Sequence, residues 1–347
     1  MSNKTFYMTD LEKLEVGEAP MPKVGPDDVM IKVQSVGVCG SDLHYYHTGS
    51  IGNFIVKPPF ILGHEAAGII EEVGENVKNL KPGDRVTLEP GYTCGKCEYC
   101  MSGRYNLCPD VVFMATPPYD GAFCEYVAWP AHMAFKLPDN MSYMEGALVE
   151  PLSVGLHAAN MADAKLGQTA VVLGSGCIGL CTLMSLKARG VTKIYIADVI
   201  QKRLDKAKSL GATEVINAAE KDTVEEIMRL TDGKGCDLVF ETAGSRITTQ
   251  QTPYLVKIGG KIVLVGMAPN PNLEYDFAPL SNKEVTIQTI FRYRNKYPMA
   301  IQAISSGKIP IKEIATDFFD LCDTPKAMAY SVSNKADIVK AVIEVKD

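Results

Sequence analysis

Short apolar runs separated by turns dominate the first 150 residues. Val29-Met30-Ile31-Lys32-Val33 and the stretch 67–73 are rich in aliphatic residues, and Gly25-Pro26, Gly63, Gly74 and Pro82-Gly83-Asp84 interrupt the chain around them. Punctuation that dense predicts a compact, irregular β-barrel rather than a helical domain. From about Thr169 the pattern changes. Apolar runs over 169–173, 193–197, 237–241 and 261–266 predict buried strands, and helical stretches over 179–189, 201–210 and 223–230 lie among them. Gly211 stands where a left-handed helix end belongs. Strands alternating with helices predict a parallel, doubly wound α/β sheet. A last strand over 285–290 closes it, and a helix over 299–305 belongs to a segment that returns to the first domain.

A length of 347 residues fits two domains. With 46 % apolar and 22 % charged residues the composition is ordinary for a globular protein and excludes wholesale disorder. Thirty-five basic against forty-one acidic residues leave a formal charge of −6, so neither nucleic acid nor an anionic membrane is expected as a partner. No apolar run approaches bilayer length, and residues 1–5 lack the apolar core and cleavage site of a secretion signal. A cytoplasmic protein is expected. Its ten cysteines are too sparse for a disulfide scaffold, yet Cys94, Cys97, Cys100 and Cys108 fall within fifteen residues. That clustering points to a metal.

The run 169–173 leads into Gly174-Ser175-Gly176-Cys177-Ile178-Gly179, a G-x-G-x-x-G turn opening a helix. The first glycine permits the tight turn, the second lets a pyrophosphate approach the backbone, and the third allows close helix–strand packing. The free N–H groups of the helix end face the phosphates. Asp198, at the end of the next strand, is placed to accept hydrogen bonds from the ribose hydroxyls and to repel a 2′-phosphate, which favours NAD over NADP. Arg203 argues the other way, since a nearby arginine can pair with a 2′-phosphate.

Cys94-x2-Cys97-x2-Cys100-x7-Cys108 supplies four thiolates, enough for a closed, structural Zn²⁺ site. An iron–sulfur run would have a final gap of three residues rather than seven. A second donor set is more dispersed. Cys39, His64, Glu65 and Glu150 offer a thiolate, an imidazole and a carboxylate, which hold Zn²⁺ with one position left open. The thiolate and one carboxylate cancel the charge of the ion. Taken singly, each has an ordinary alternative: Cys39 as a small buried hydrophobe, His64 as a hydrogen-bonded turn residue, Glu65 or Glu150 as a salt-bridge partner.

Together these residues resemble the zinc-dependent medium-chain alcohol dehydrogenases along essentially the whole chain, and most closely the sorbitol (L-iditol) and xylitol dehydrogenases. The resemblance rests on Gly37-Val-Cys39-Gly-Ser41-Asp-Leu-His44-Tyr45-Tyr46, the stretch 51–57, Leu62-Gly-His64-Glu65-Ala-Ala-Gly68 and the stretches 80–86, 103–107 and 115–118. Glu145-Gly-Ala-Leu-Val-Glu150-Pro-Leu-Ser-Val-Gly155 and Phe291-Arg292-Tyr293 complete it. It implies a GroES-like catalytic domain over 1–152 and 291–347 with a zinc lobe near 90–110, and a Rossmann NAD-binding domain over 153–290. A homotetramer is also implied.

By the same resemblance Cys39, His64 and Glu65 hold the catalytic zinc, with Glu150 next to it orienting the bound water; which carboxylate touches the metal stays open in the sequence. Gly174, Gly176, Ile178, Gly179, Asp198 and Arg203 bind the dinucleotide. Ser41 and His44 pass a proton outward, and Tyr45, Phe113, Arg292 and Tyr293 line a polyol pocket. The implied reaction is oxidation of a secondary hydroxyl of sorbitol, xylitol or L-iditol to the ketose, with hydride passing to NAD. A related dehydrogenase for L-threonine, butanediol or another alditol is the nearest alternative. A non-catalytic zinc protein would have no use for an open metal site.

Overall fold

The computed structural model describes residues 2–267 and 272–345. The chain divides into two compact units, Met1–Glu150 with Tyr297–Asp347, and Pro151–Lys296. This division places residues 151–152 and 291–296 with the second unit.

The first unit is built on a seven-stranded sheet in the order Ala134–Lys136, Arg85–Leu88, Glu65–Val73, Asp28–Gly37, Lys340–Glu344, Ala315–Asp320, with Tyr126–Pro130 also paired to Asp28–Gly37. Asp28–Gly37 shows why a sequence of this kind makes a half-buried sheet strand. Val29, Ile31 and Val33 point inward and are fully buried, while Met30 and Lys32 face the other way. Truncating one of these buried side chains to alanine costs about 2–5 kcal/mol. Its antiparallel register against Glu65–Val73 sets Gly37 opposite Glu65, and its register against Lys340–Glu344 sets the same glycine opposite Val342. Three strands from distant parts of the chain thus meet at one place.

The second unit carries a six-stranded sheet, all parallel, in the order Glu214–Asn217, Lys193–Asp198, Thr169–Leu173, Cys236–Glu241, Val256–Leu264, Thr286–Thr289. The chain order reverses between Thr169–Leu173 and Cys236–Glu241, the point at which sheets of this kind bind ligands. The mixed α/β class and the doubly wound sheet are as expected. Gly211 has φ 102, just beyond the helix Gln201–Ser209.

The structure adds elements that the pattern did not predict. The helix Arg246–Leu255 is polar and contains Pro253, and it starts because the Ser245 side chain accepts the Thr248 N–H at 3.1 Å. Val256–Leu264 begins five residues before the expected 261, because the Lys257–Gly260 segment has no apolar run and joins through a register shift. The helix Cys177–Ala188 starts at Cys177 rather than 179, with Gly176 as its cap. Among the described residues no helix is long and apolar enough to cross a membrane.

Candidate metal centre and cofactor-binding turn

Where the strand Asp28–Gly37 ends, Cys39 caps the helix Gly40–Thr48 with an extended backbone, φ −90 and ψ 155. Asp42, in the first turn, reaches back. Its Oδ2 accepts the Cys39 N–H at 2.9 Å, and its Oδ1 accepts the Gly63 N–H at 3.0 Å and lies 3.5 Å from His64 Nδ1. One fully buried carboxylate therefore ties the backbone of Cys39 to the turn carrying His64 and orients the imidazole. Gly63 has φ 88, and a Cβ there would stand 2.6 Å from the Phe123 ring, so the turn tolerates only glycine.

Glu65 follows at the start of its strand. A Cβ on Gly37 would stand 1.9 Å from Glu65 Oε2, so the absent side chain makes the space that the carboxylate fills. The outcome is that a sulfur of Cys39, a ring nitrogen of His64 and a carboxylate oxygen of Glu65 all lie within 4.8 Å of one another. Glu65 is also held by a residue the sequence reading missed. Lys340 Nζ donates to Glu65 Oε1 at 2.7 Å, to Oε2 at 2.9 Å and to the Val38 carbonyl at 3.0 Å. Asp42 was likewise missed, although its place three residues after a helix cap is a capping signal. Lys340 lies 275 residues from Glu65 and has no local signal except a lysine leading a buried run.

Burial works against a charged His64, but Asp42 and the Cys39 sulfur outweigh it and hold the imidazole well above its ordinary value. Asp42, whose burial would raise it, is held below the usual carboxylate range by His64 and by the Cys39 and Gly63 N–H groups. Surroundings that favour positive charge next to an N, O and S donor set suit a dication such as Zn²⁺, with three protein ligands and one position open.

Of the other expected site residues, the Phe113 ring lies 5.8 Å from that of His64. Ser41 and His44 are half-buried on the helix Gly40–Thr48, and Tyr45 is buried there. Glu150 ends the first unit, is 5 % exposed and is not one of the three clustered donors; its charge acts on Glu89. Arg292 and Tyr293 belong to the second unit. Arg292 adopts the left-handed region, φ 54, unusual for a side chain of its size, with its guanidinium 4.9 Å from the Phe291 ring.

In the lobe, Cys94, Cys97, Cys100 and Cys108 bring their sulfurs within 4.8 Å of one another, with Cys97–Cys100 at 3.5 Å and Cys94–Cys108 at 3.6 Å. The Lys96 and Cys97 N–H groups pull Cys94 down to about 7, while burial pushes Cys108 up to about 12. Four thiolates this close repel one another unless they share a cation, which is what a closed zinc site provides.

The glycine-rich turn has the geometry its spacing predicts. Gly174 has φ 100, and a Cβ on Gly179 would stand 2.0 Å from the Gly174 carbonyl oxygen. A Cβ on Gly176 would meet only Arg203 Nη1, at 3.8 Å, so the backbone there is open to an approaching group. Ile178 lies in the first turn of the helix behind it. Asp198 Oδ2 accepts from the Ser175 N–H at 2.6 Å and its hydroxyl at 2.9 Å, and Oδ1 accepts the Ile200 N–H at 3.0 Å. The carboxylate is thus fixed beside the turn.

Residues 25–139 match the alcohol dehydrogenase GroES-like domain, and residues 177–306 match the zinc-binding dehydrogenase domain. The chain is 43 % identical to a sorbitol dehydrogenase of Bacillus subtilis, over 98 % of this chain and 96 % of the relative. It superposes with TM-score 0.96 and 48 % identity, over the full length of both chains, on an Escherichia coli oxidoreductase/dehydrogenase of unknown specificity. A zinc-binding dehydrogenase from Sinorhizobium meliloti, solved with NADP bound, is similar at TM-score 0.91 and 30 % identity over 99 % of each chain. With its donor cluster, its four-cysteine lobe and its glycine-rich turn, the chain belongs to the zinc-dependent medium-chain alcohol dehydrogenases, close to the sorbitol dehydrogenases.

Proposed function

We propose that this protein oxidises a secondary hydroxyl of an acyclic polyol such as sorbitol, xylitol or L-iditol to the ketone, passing hydride to NAD. The observation that carries the proposal is the Cys39, His64 and Glu65 cluster with the Phe113 ring beside it. Zinc held there would supply Lewis-acid polarisation of the hydroxyl, and NAD would accept the hydride. Cys39 and Glu65 bring two negative charges, and Asp42 keeps His64 turned toward the cluster. Ser41 and His44 are proposed to carry the proton outward. Tyr45, Phe113, Arg292 and Tyr293 are proposed to contact the polyol, whose row of hydroxyls calls for several donors. Glu150 is proposed to orient water from just outside the donor set.

Gly174, Gly176, Ile178 and Gly179 are proposed to cradle the pyrophosphate, with Arg203 alongside. The choice of NAD rests on Asp198, whose Oδ1 keeps a lone pair for a ribose hydroxyl and whose charge opposes a 2′-phosphate. A second, structural zinc is proposed for Cys94, Cys97, Cys100 and Cys108. We also propose a homotetramer. In its support, Thr286–Thr289 is the outer strand of its sheet, its Ile287 is exposed, and so is Ile258 of the neighbouring Val256–Leu264. The test is NAD⁺ reduction with sorbitol, xylitol, galactitol, butanediol and L-threonine, each with and without a chelator. Polyols are expected to lead and chelation to abolish turnover. Activity that survives complete zinc removal, or a clear preference for threonine or butanediol, refutes the proposal.

A further inference from the structure

We infer that Lys340 is a positioning residue of the metal centre, a buried counter-charge that holds the Glu65 carboxylate in place and shares it with the metal. This rests on the reading that Cys39, His64 and Glu65 hold zinc. The geometry is unusual for an ion pair. Glu65 is fully buried and Lys340 is 3 % exposed, and the ammonium bonds both carboxylate oxygens as well as the Val38 carbonyl, next to Cys39 in the chain. A buried pair in which one partner is removed leaves a costly unpaired charge, so neither residue is there by accident.

The same carboxylate keeps an oxygen within 4.8 Å of the Cys39 sulfur and a His64 nitrogen. Two oxygens with about four lone-pair directions can serve an ammonium on one side and an ion on the other. The sheet register delivers the lysine. Val342 pairs with Gly37, Lys340 lies two residues earlier and so on the same face, and the Val38 N–H donates to the Ala341 carbonyl at 2.9 Å. The glycine that leaves room for Glu65 is therefore also the register point for Lys340.

The charge count has a consequence for zinc. Cys39 and Glu65 offset a dication fully, but Lys340 returns one positive charge. With the buried Asp42 carboxylate counted too, the ammonium still makes the centre one charge more positive than it would be without it, and a more positive centre grips its metal less tightly and favours loss of a proton from whatever oxygen the metal meets. Lys340 thus exchanges metal affinity for acidity, and the coupling between lysine and metal is reciprocal.

The test measures zinc directly. Zinc-loaded wild type, Lys340→Met and Lys340→Gln are mixed with a colorimetric chelator, and release is followed under native conditions. Cys39→Ala serves as the blank for the four-cysteine lobe alone. Release of the second zinc is expected to slow at least tenfold in Lys340→Met. Lys340→Gln keeps a hydrogen bond to Glu65 without the charge, and folds if methionine does not. It is expected to slow release several-fold. Melting of the chelator-stripped variants is expected to fall, with a larger rise on adding zinc than in wild type. Release as fast as wild type from both variants, with melting lowered equally with and without zinc, overturns the inference and leaves Lys340 a structural counter-ion. Wild type holding no more zinc than Cys39→Ala instead overturns the metal-centre reading itself.

Discussion

Replacing Glu89 by glutamine should stabilise the protein at pH 8 and change little at pH 4. Glu89 is 4 % exposed. Burial, its largest influence, pushes the carboxyl up to about 7; the Tyr105 hydroxyl, donating to Oε1 at 2.6 Å, lowers it, and the charge of Glu150 raises it again. In the unfolded chain the group titrates near 4.5. Between these values the unfolded chain has released a proton that the folded protein keeps. Stability from this group is therefore fully present below pH 4.5 and is lost as pH rises toward 7. A gap of roughly 2.5 units, at about 1.36 kcal/mol each, amounts to about 3 kcal/mol. Glutamine keeps the shape and an oxygen for Tyr105 but has no charge to bury. Above pH 7 it should recover most of that amount, a rise in melting temperature of roughly 5–10 °C for a unit of this size. Trp129 is the only tryptophan in the chain, and its Nε1 donates to the Glu89 carbonyl at 2.8 Å, so its fluorescence reports melting at this spot. Equal slopes of melting temperature against pH in the two proteins between 4.5 and 7, or a less stable variant at pH 8, would refute the reasoning.

Asp42→Asn should weaken zinc at the Cys39–His64–Glu65 cluster about 10–100-fold, since it puts an N–H₂ against an N–H donor where the ligands are oriented; competition with a chelator measures it. Gly37→Ala places a Cβ where Glu65 Oε2 lies, so it should lose the cluster's zinc and keep the lobe's. Elemental analysis should then find one zinc per chain, and two would count against the packing argument. Asp198→Asn should lower kcat/KM for NAD⁺ about 10–100-fold, the worth of a hydrogen bond to a charged group, and narrow the gap to NADP⁺; an unchanged NAD⁺:NADP⁺ ratio speaks against the assigned role.

How far the sequence carried the fold depended on whether the signal was local. The apolar runs 169–173 and 193–197 stand within a residue of the observed strands because each is buried on both faces, and Thr223–Leu230 is a helix with the expected ends because one apolar face fixes it. Arg246–Leu255 was not legible for the opposite reason. It is polar, it contains a proline, and its helical state depends on the Ser245 cap and on packing against Cys236–Glu241. The start of Val256–Leu264 was lost in the same way, since Gly259 and Gly260 break the apolar pattern while the backbone still pairs.

The metal donors divide along the same line, with more at stake. Cys39, His64, Glu65 and the four lobe cysteines could be named from spacing and residue type, because a ligand must be a particular chemical group. What sets their charge and orientation could not. Asp42 acts through a backbone N–H of Cys39 and another of Gly63, and Lys340 acts across 275 residues through a strand register. A motif states which atoms can bind an ion. The electrostatic balance around those atoms belongs to the sheet, since only Gly37, paired with Glu65 on one side and Val342 on the other, brings the carboxylate and the ammonium together. Two proteins with the same three donors and a different residue at the head of this last strand should therefore differ in how firmly they hold zinc, even with identical ligands.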